Sequence, residues 1–227
     1  INPNNNNFFI EFTGRILKDN YPKLISCDTT IRQCLKNINE MNVCDFNIDS
    51  VLRDSEVYLC DVTKDITCDH PMAKLKRHLK ASLVNYDKWL VRNCHNNGLE
   101  IYNSVTTTRR YKRFIIYDKE KELKRAVNKH VLNSINDQKT LLNRFKGKIR
   151  IELNLRNKEQ VREYLNINNN DLQSVLNSSA NPILEIWDEA INESTPVNIE
   201  IYNKADKMAM LEQCNYDLQA VEMKIRE

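Results

Sequence analysis

The sequence predicts an α+β fold, with a largely antiparallel central sheet, helices packed on one face of it and a helical C-terminal extension. Two patterns predict the sheet: segments of alternating polarity such as KIRIELNL at 148–155, and the Asn97-Gly98 pair, which is typical of a tight antiparallel hairpin. Stretches with helical apolar spacing predict the helices. A chain of 227 residues, 41% hydrophobic, can bury one sizeable core. We therefore expect one domain over 1–170 and a helical C-terminal region over 171–227.

Each element is predicted from its own local pattern. Alternation predicts strands at 8–16, 57–66, 99–105, 113–117 and 148–155, a further strand near 89–95, and shorter candidates at 43–48 and 197–202. Helical spacing, capping residues and Pro71 predict helices at 30–41, 71–86, 120–143, 158–165, 171–191 and 206–226. Pro182 is expected to interrupt the fifth of these helices.

Composition excludes several classes of protein. No apolar stretch is long enough to span a bilayer, and the Asn-rich start is unlike a signal peptide. Seven cysteines without a Cys-x-x-Cys pair argue against a disulfide framework and a structural zinc site. The four histidines lack the spacing of a metal pair. We expect a cytoplasmic protein with reduced thiols and no membrane contact.

Positive charge is clustered, although the net charge is only +3. The clusters are KLKRHLK at 74–80, RRYKR at 109–113 and RFKGKIR at 144–150. Such clusters are often solvated surfaces, but three of them beside polar strands favour a nucleic-acid partner. The residues expected to contact DNA phosphates are Lys74, Arg77, Arg109, Arg110, Lys112, Arg113 and Arg150.

The period of two along each strand collects acidic, basic and tyrosine side chains on one sheet face. This face is predicted to carry Asp61, Thr63, Asp65, Glu100, Tyr102, Arg113, Tyr117, Lys119, Arg150 and Glu152. Carboxylates suit Mg²⁺ or Mn²⁺, so Asp61, Asp65 and Glu152 are the candidate metal ligands. Metal-assisted transesterification of a phosphodiester is the chemistry that fits this set.

In this interpretation Tyr117 is the nucleophile, and Tyr102 on the same face is the alternative. A cation or metal must favour the phenolate, because free tyrosine has a pKa of about 10. Lys119 is expected to stabilise the transition state. Asp118 faces the other way in a regular strand and joins the site only if a bulge turns it inward. A tyrosine in a strand is also often half-buried packing.

Three segments resemble motifs of rolling-circle replication initiators. GLEIYNSVTTTRRYKRFIIYDKEKEL, SEVYLCDVTKDI and GKIRIELNLRNKEQVREYL are similar to phage and plasmid replication proteins of the gene II/X type and to related plasmid replication initiation factors. The resemblance covers roughly Phe8 to Pro182. The His-hydrophobic-His metal motif of better-known relatives is absent from the sequence.

The resemblance implies a relaxase-like nicking-joining endonuclease domain that cuts one origin strand, keeps a 5′-phosphotyrosine link and leaves a free 3′-hydroxyl. It implies catalytic roles for Tyr117, Asp118 and Lys119 and a divalent metal on the acidic strands. The implied partners are single-stranded or hairpin origin DNA and host replication proteins. Two alternatives remain open: a metal-dependent nuclease that uses water, and a catalytically silent DNA-binding protein.

Overall fold

The computed structural model describes residues 9–42, 44–82, 89–94, 98–103, 112–192, 204–215 and 217–221. Within them lies a five-stranded sheet with the order β1-β5-β4-β3-β2. Its strands are β1 (Cys60–Thr67), β2 (Trp89–Cys94), β3 (Gly98–Asn103), β4 (Arg113–Asp118) and β5 (Lys148–Leu155). All four neighbouring pairs are antiparallel. The predicted α+β class with an antiparallel central sheet is confirmed.

The described residues also form helices before, between and after the strands. These are α1 (Asp28–Asn39), α2 (Ile48–Asp54), α3 (Met72–Ser82), α4 (Lys119–Leu123), α5 (Lys129–Asn133), α6 (Gln138–Phe145), α7 (Lys158–Leu165), α8 (Leu172–Leu176), α9 (Pro182–Asn192) and α10 (Lys204–Gln213), with 3₁₀ segments at Gly14–Lys23 and Ala126–Asn128. Asn or Asp side chains cap the first turns of α2, α4, α6, α7 and α8, each accepting a backbone N–H three residues on.

One sheet face is apolar and carries the main core. Alternate strand residues, among them Leu99, Ile101, Phe114, Ile116 and Leu153, are almost completely buried there. Side chains of α3, α7 and α9 close the layer from above. This packing of helices on an antiparallel sheet explains why β1, β3 and β5 largely alternate between apolar and polar residues.

Helices also cover part of the polar face, which the sequence did not predict. Tyr21, from the 3₁₀ segment Gly14–Lys23, and Phe145, from α6, pack with apolar residues of α4 and α5 in a second cluster. Both rings lie against the guanidinium of Arg150, a polar-face residue of β5, at 5.5 and 5.4 Å from their centroids. The polar face is therefore covered at one end.

A third apolar cluster joins the two sides of the boundary expected at residue 171. Leu35 of α1 and Leu52 of α2 pack in it with Leu172 and Leu176 of α8. Backbone hydrogen bonds reinforce the junction, because Leu172 donates to the carbonyl of Ser55. Further along, α9 packs on the sheet core. These two C-terminal helices thus share their packing with the region before the boundary.

Four predicted elements differ from the structure. Residues 9–13 are not a strand and 14–16 are 3₁₀; Ile10, Phe12 and Ile16 pack against the α1–α2 cluster instead. Residues 44–47 form no strand and lead into α2. The long helix expected over 120–143 is broken, in part because the Asn128 side chain donates to the carbonyl of Glu122 at 2.6 Å and competes with helical bonding.

The helix expected over 206–226 is broken: α10 ends at Gln213, Asn215 has a positive φ, and residues 218–221 are helical again. The strand candidate at 197–202 lies outside the described residues. All seven cysteines are free thiols; Cys34 is buried, Cys27 is exposed and the others are half-buried. No helix among the described residues is long and apolar enough to cross a membrane.

Candidate functional site

Three rows of side chains cross the polar face, each taking one residue from every strand. The open row is Asp61, Asn154, Arg113, Tyr102 and Leu90; the middle row is Thr63, Glu152, Ile115, Glu100 and Arg92; the covered row is Asp65, Arg150, Tyr117, Gly98 and Cys94. Every member of the open row is exposed or half-buried, whereas Arg150, Tyr117 and Gly98 of the covered row are buried. The strand residues predicted to share a face do share it.

Tyr117 lies in the covered row and is only 4% exposed. Its Oη donates a hydrogen bond to Oε1 of Glu152 at 2.7 Å. Burial, followed by the charge and hydrogen bond of Glu152, raises the pKa of Tyr117 far above its ordinary value. The phenol is therefore neutral and enclosed in this structure, which is unfavourable for a nucleophile.

Arg150 lies at the same enclosed end of the polar face. It is 2% exposed and donates from Nε and Nη2 to the two oxygens of Asp65 at 2.7 and 2.8 Å. Its Nη1 also donates to the hydroxyl of Tyr21 at 3.0 Å. The guanidinium of Arg150, predicted to contact DNA, is therefore not accessible to a phosphate in this structure. It neutralises Asp65 instead.

Lys119 and Asp118 do not extend the site as predicted. Lys119 is 1% exposed and its Nζ donates to Glu122 at 2.5 Å, with the Tyr117 ring centroid 5.5 Å away. Asp118 is not turned inward by a bulge, because its carboxylate caps α4 by accepting from the backbone N–H of Lys121 at 2.9 Å. Neither side chain reaches the open part of the face.

The three expected metal ligands share a face but do not converge. Asp61 and Asp65 are four residues apart on one strand, which separates them by about 13 Å. Asp65 is bound by Arg150, and Glu152 accepts from Tyr117. The described part of the chain contains no group of three His, Cys, Asp or Glu residues that could hold an ion. A single metal ion bound by all three carboxylates does not fit this arrangement.

A hydrogen-bonded ladder crosses all five strands in the accessible part of the face. Arg92 donates from Nε and Nη2 to Glu100 at 2.6 and 3.0 Å, and Arg113 donates to the same carboxylate from Nε. Arg113 Nη1 then donates to Asn154 at 2.7 Å, and Asn154 donates to Asp61 at 2.6 Å. The positive members of the ladder lie on the β2–β4 side, around Tyr102.

The remaining basic candidates are distributed unevenly. Lys74 of α3 is exposed, while the side chain of Arg77 is outside the described part of the chain. Lys112 is half-buried; its Nζ binds Glu189 and lies 5.6 Å from the Tyr164 ring centroid. Arg109 and Arg110 fall in 104–111, which is outside the described residues. Among the predicted DNA contacts that the structure describes, Arg113 lies on the polar face and is partly exposed to solvent.

Sequence reasoning missed the roles of Arg92, Asn154 and Tyr21. A two-residue turn at Asn97-Gly98 would place His95 opposite Glu100, whereas in the structure Gly98 belongs to β3 and Arg92 lies opposite Glu100, so the hairpin pattern could not have found this contact. Tyr21 lies 129 positions from Arg150, and no local signal could have paired them.

Comparison with family models, curated proteins and solved structures found no match for this chain. What can be said about function therefore follows from the motifs and from the polar face.

Proposed function

We propose that this chain is a DNA replication initiator that nicks one strand by tyrosine transesterification, using the polar sheet face. The supporting observation is the juxtaposition, in the accessible half of that face, of Tyr102 with two arginines, Arg92 and Arg113. A phenol beside guanidinium groups provides both a nucleophile and a site for phosphate oxygens. The motif resemblance points to the same chemistry.

Accessibility favours Tyr102 over Tyr117 as the nucleophile. Tyr102 is half-buried in the open row, whereas Tyr117 is only 4% exposed. A phosphodiester can approach Tyr102 from solvent, but it reaches Tyr117 only after Tyr21 and its neighbours move. We therefore assign the attack to Tyr102 and give Tyr117 the task of anchoring Glu152.

In the proposed step the Tyr102 hydroxyl loses its proton to solvent as its oxygen bonds to phosphorus. The bond between phosphorus and the 3′-oxygen breaks, and that oxygen takes up a proton to become the free 3′-hydroxyl. The strand on the other side of the cut stays attached as a 5′-phosphotyrosine. Atoms and charge balance without an oxidant or nucleotide. Because the three carboxylates do not converge, no part of the step is assigned to a metal; dependence on Mg²⁺ or Mn²⁺ stays a prediction.

Covalent trapping tests the proposal. The protein is incubated with pools of random-sequence single-stranded and hairpin oligonucleotides labelled at the 3′ end, with and without Mg²⁺ or Mn²⁺, and run on a denaturing gel. We expect a labelled protein band that Tyr102→Phe abolishes and Tyr117→Phe retains. An adduct that survives in Tyr102→Phe but not in Tyr117→Phe would reverse the assignment. Cleavage without any adduct would indicate a nuclease that uses water.

A catalytically silent DNA-binding protein is the second candidate. It is favoured by one observation: Asp65 and Glu152, expected to bind metal, are engaged by Arg150 and Tyr117 within the fold. Such a protein would bind the same oligonucleotides, with an affinity that falls steeply with salt, and would give neither adduct nor cleavage.

A further inference from the structure

We propose that Arg92 and Arg113, held together by the carboxylate of Glu100, form a binding subsite for one phosphodiester of single-stranded DNA beside Tyr102. We call these three residues the arginine clamp. The inference rests on the proposed function in placing DNA on the polar face. It assigns a binding role to Arg92 and Glu100, neither of which was among the predicted DNA contacts.

Glu100 fixes the geometry of the clamp. Its side chain is 3% exposed, and its two oxygens accept from three guanidinium N–H groups, two of Arg92 and one of Arg113. Burial alone would raise the pKa of Glu100, but the hydrogen bonds from the two arginines outweigh it and hold the pKa below its ordinary value. The carboxylate is therefore ionised at neutral pH, and both arginines are oriented before any ligand arrives.

The clamp holds two guanidinium groups on one carboxylate, whereas Arg150 and Asp65 in the covered row are an enclosed one-to-one pair. The Arg92 side chain is 60% exposed, and that of Arg113 is 22% exposed. Glu100 thus orients a solvent-exposed guanidinium, whose fork of N–H donors suits phosphate oxygens.

The position of the clamp connects it to the reaction. The Arg92 guanidinium lies 5.1 Å from the centroid of the Tyr102 ring, and Arg113 is the cross-strand neighbour of Tyr102. A phosphate bound by Arg92 therefore lies next to the phenol, whose ring can also stack on a base. Beyond Glu100, the next carboxylate along the ladder is Asp61 on the edge strand, with Asn154 between it and Arg113, and Glu152 lies opposite Ile115 in the middle row.

Salt-dependent binding tests the clamp separately from catalysis. The probe is a fluorescein-labelled oligothymidine, and the readout is anisotropy over a series of NaCl concentrations. Losing one phosphate contact on a single strand should reduce the slope of log K against log salt by about 0.7, which weakens binding about fivefold near 0.1 M salt. We expect this result for Arg92→Ala and for Arg92→Gln, which retains most of the packing.

Arg53→Ala is the matched control. Arg53 is also exposed, at 69%, and also donates from Nε and Nη2 to one carboxylate, that of Asp54, but it lies on α2 away from the sheet. We expect its slope and affinity to match the wild type. Wild-type slope and affinity in both Arg92 variants would overturn the inference, and so would an equal loss in Arg53→Ala.

The outcome is independent of the nicking assay. If no adduct forms but Arg92→Gln lowers the salt slope, the proposed reaction fails and the subsite stands. If the adduct forms and Arg92 variants bind like the wild type, the reaction stands and the subsite fails. Thermal unfolding of each variant confirms that the compared proteins are folded.

Discussion

Replacing Lys119 by Met removes the cation from an enclosed ion pair. Lys119 is 1% exposed, and its partner Glu122 is 6% exposed. Burial alone would raise the pKa of Glu122, but Lys119 and then Arg15 hold it below its ordinary value, so the carboxylate stays charged in the fold. Lys119→Met therefore leaves a buried negative charge with fewer partners.

Breaking one side of a buried pair costs about 3–5 kcal/mol. Glu122 would keep Arg15 at 2.8 Å and Asn128 at 2.8 Å, so the low end, about 3 kcal/mol, is expected. With a denaturant slope of about 3 kcal/mol/M, the urea midpoint should fall by about 1 M. The double variant Lys119→Met/Glu122→Leu should recover most of this loss, because an apolar pair replaces the buried charges.

Lys121→Met is the control for this measurement. Lys121 is 63% exposed and pairs with Asp118 at 3.4 Å, so its loss should change stability by less than about 0.5 kcal/mol. A Lys119→Met midpoint equal to that of Lys121→Met would refute the buried-pair reasoning. Adduct yield per folded molecule should be unchanged in Lys119→Met; a large specific loss would restore the catalytic role that the sequence suggested.

Two further predictions concern the covered row. A Cβ at Gly98 would lie 2.6 Å from the carbonyl oxygen of Ile116 and 2.8 Å from Cβ of Tyr117. Gly98→Ala should therefore lower the free energy of unfolding, measured in urea, by about 2 kcal/mol. Gly14→Ala is the control and should change it little, because a Cβ there would have its nearest contacts at 3.7 Å. Equal midpoints for the two variants would contradict this. The pKa of Tyr117 is raised in the folded protein. Its contribution to the free energy of unfolding is therefore complete below its pKa in the unfolded chain, about 10, and is lost as pH rises above that value. Stability measured from pH 9 to 11 should therefore fall more steeply for the wild type than for Tyr117→Phe, and parallel curves would show that Tyr117 does not titrate on unfolding.

The sequence predicted the sheet better than the helices. A two-residue period needs only correct strand boundaries, and it placed Asp61, Tyr102 and Glu152 on one face. The helix expected between 120 and 143 breaks instead near Asn128, whose side chain donates to the carbonyl of Glu122, and again before Asp137, which caps α6. Charge pattern alone does not show whether such a side chain caps, breaks or continues a helix.

The sequence predicted which strand side chains share the polar face, but not which of them contact one another. Alternation places Asp61 and Asp65 on the same face, but the strand rise of about 3.3 Å per residue already keeps them too far apart for one ion. Coverage of Tyr117 and Arg150 could not be anticipated, because Tyr21 comes from a segment far away in the chain. The proposed choice of Tyr102 over Tyr117 as nucleophile depends on the solvent exposure of the two side chains, which is set by tertiary packing.

The strand order has a consequence for how the chain is built. β2, β3 and β4 follow one another and pair as consecutive neighbours, so they can form a meander as soon as residue 118 is available. β1 precedes them, and its neighbour among the described strands is β5, so Cys60 pairs with Leu155 only after residue 155 has been made. Contacts of such long sequence separation form slowly. During synthesis, the strand that carries Asp61 and Asp65 joins the described sheet when β5 docks between it and β4, so the polar face is completed from the arginine clamp toward Asp61 and Asp65.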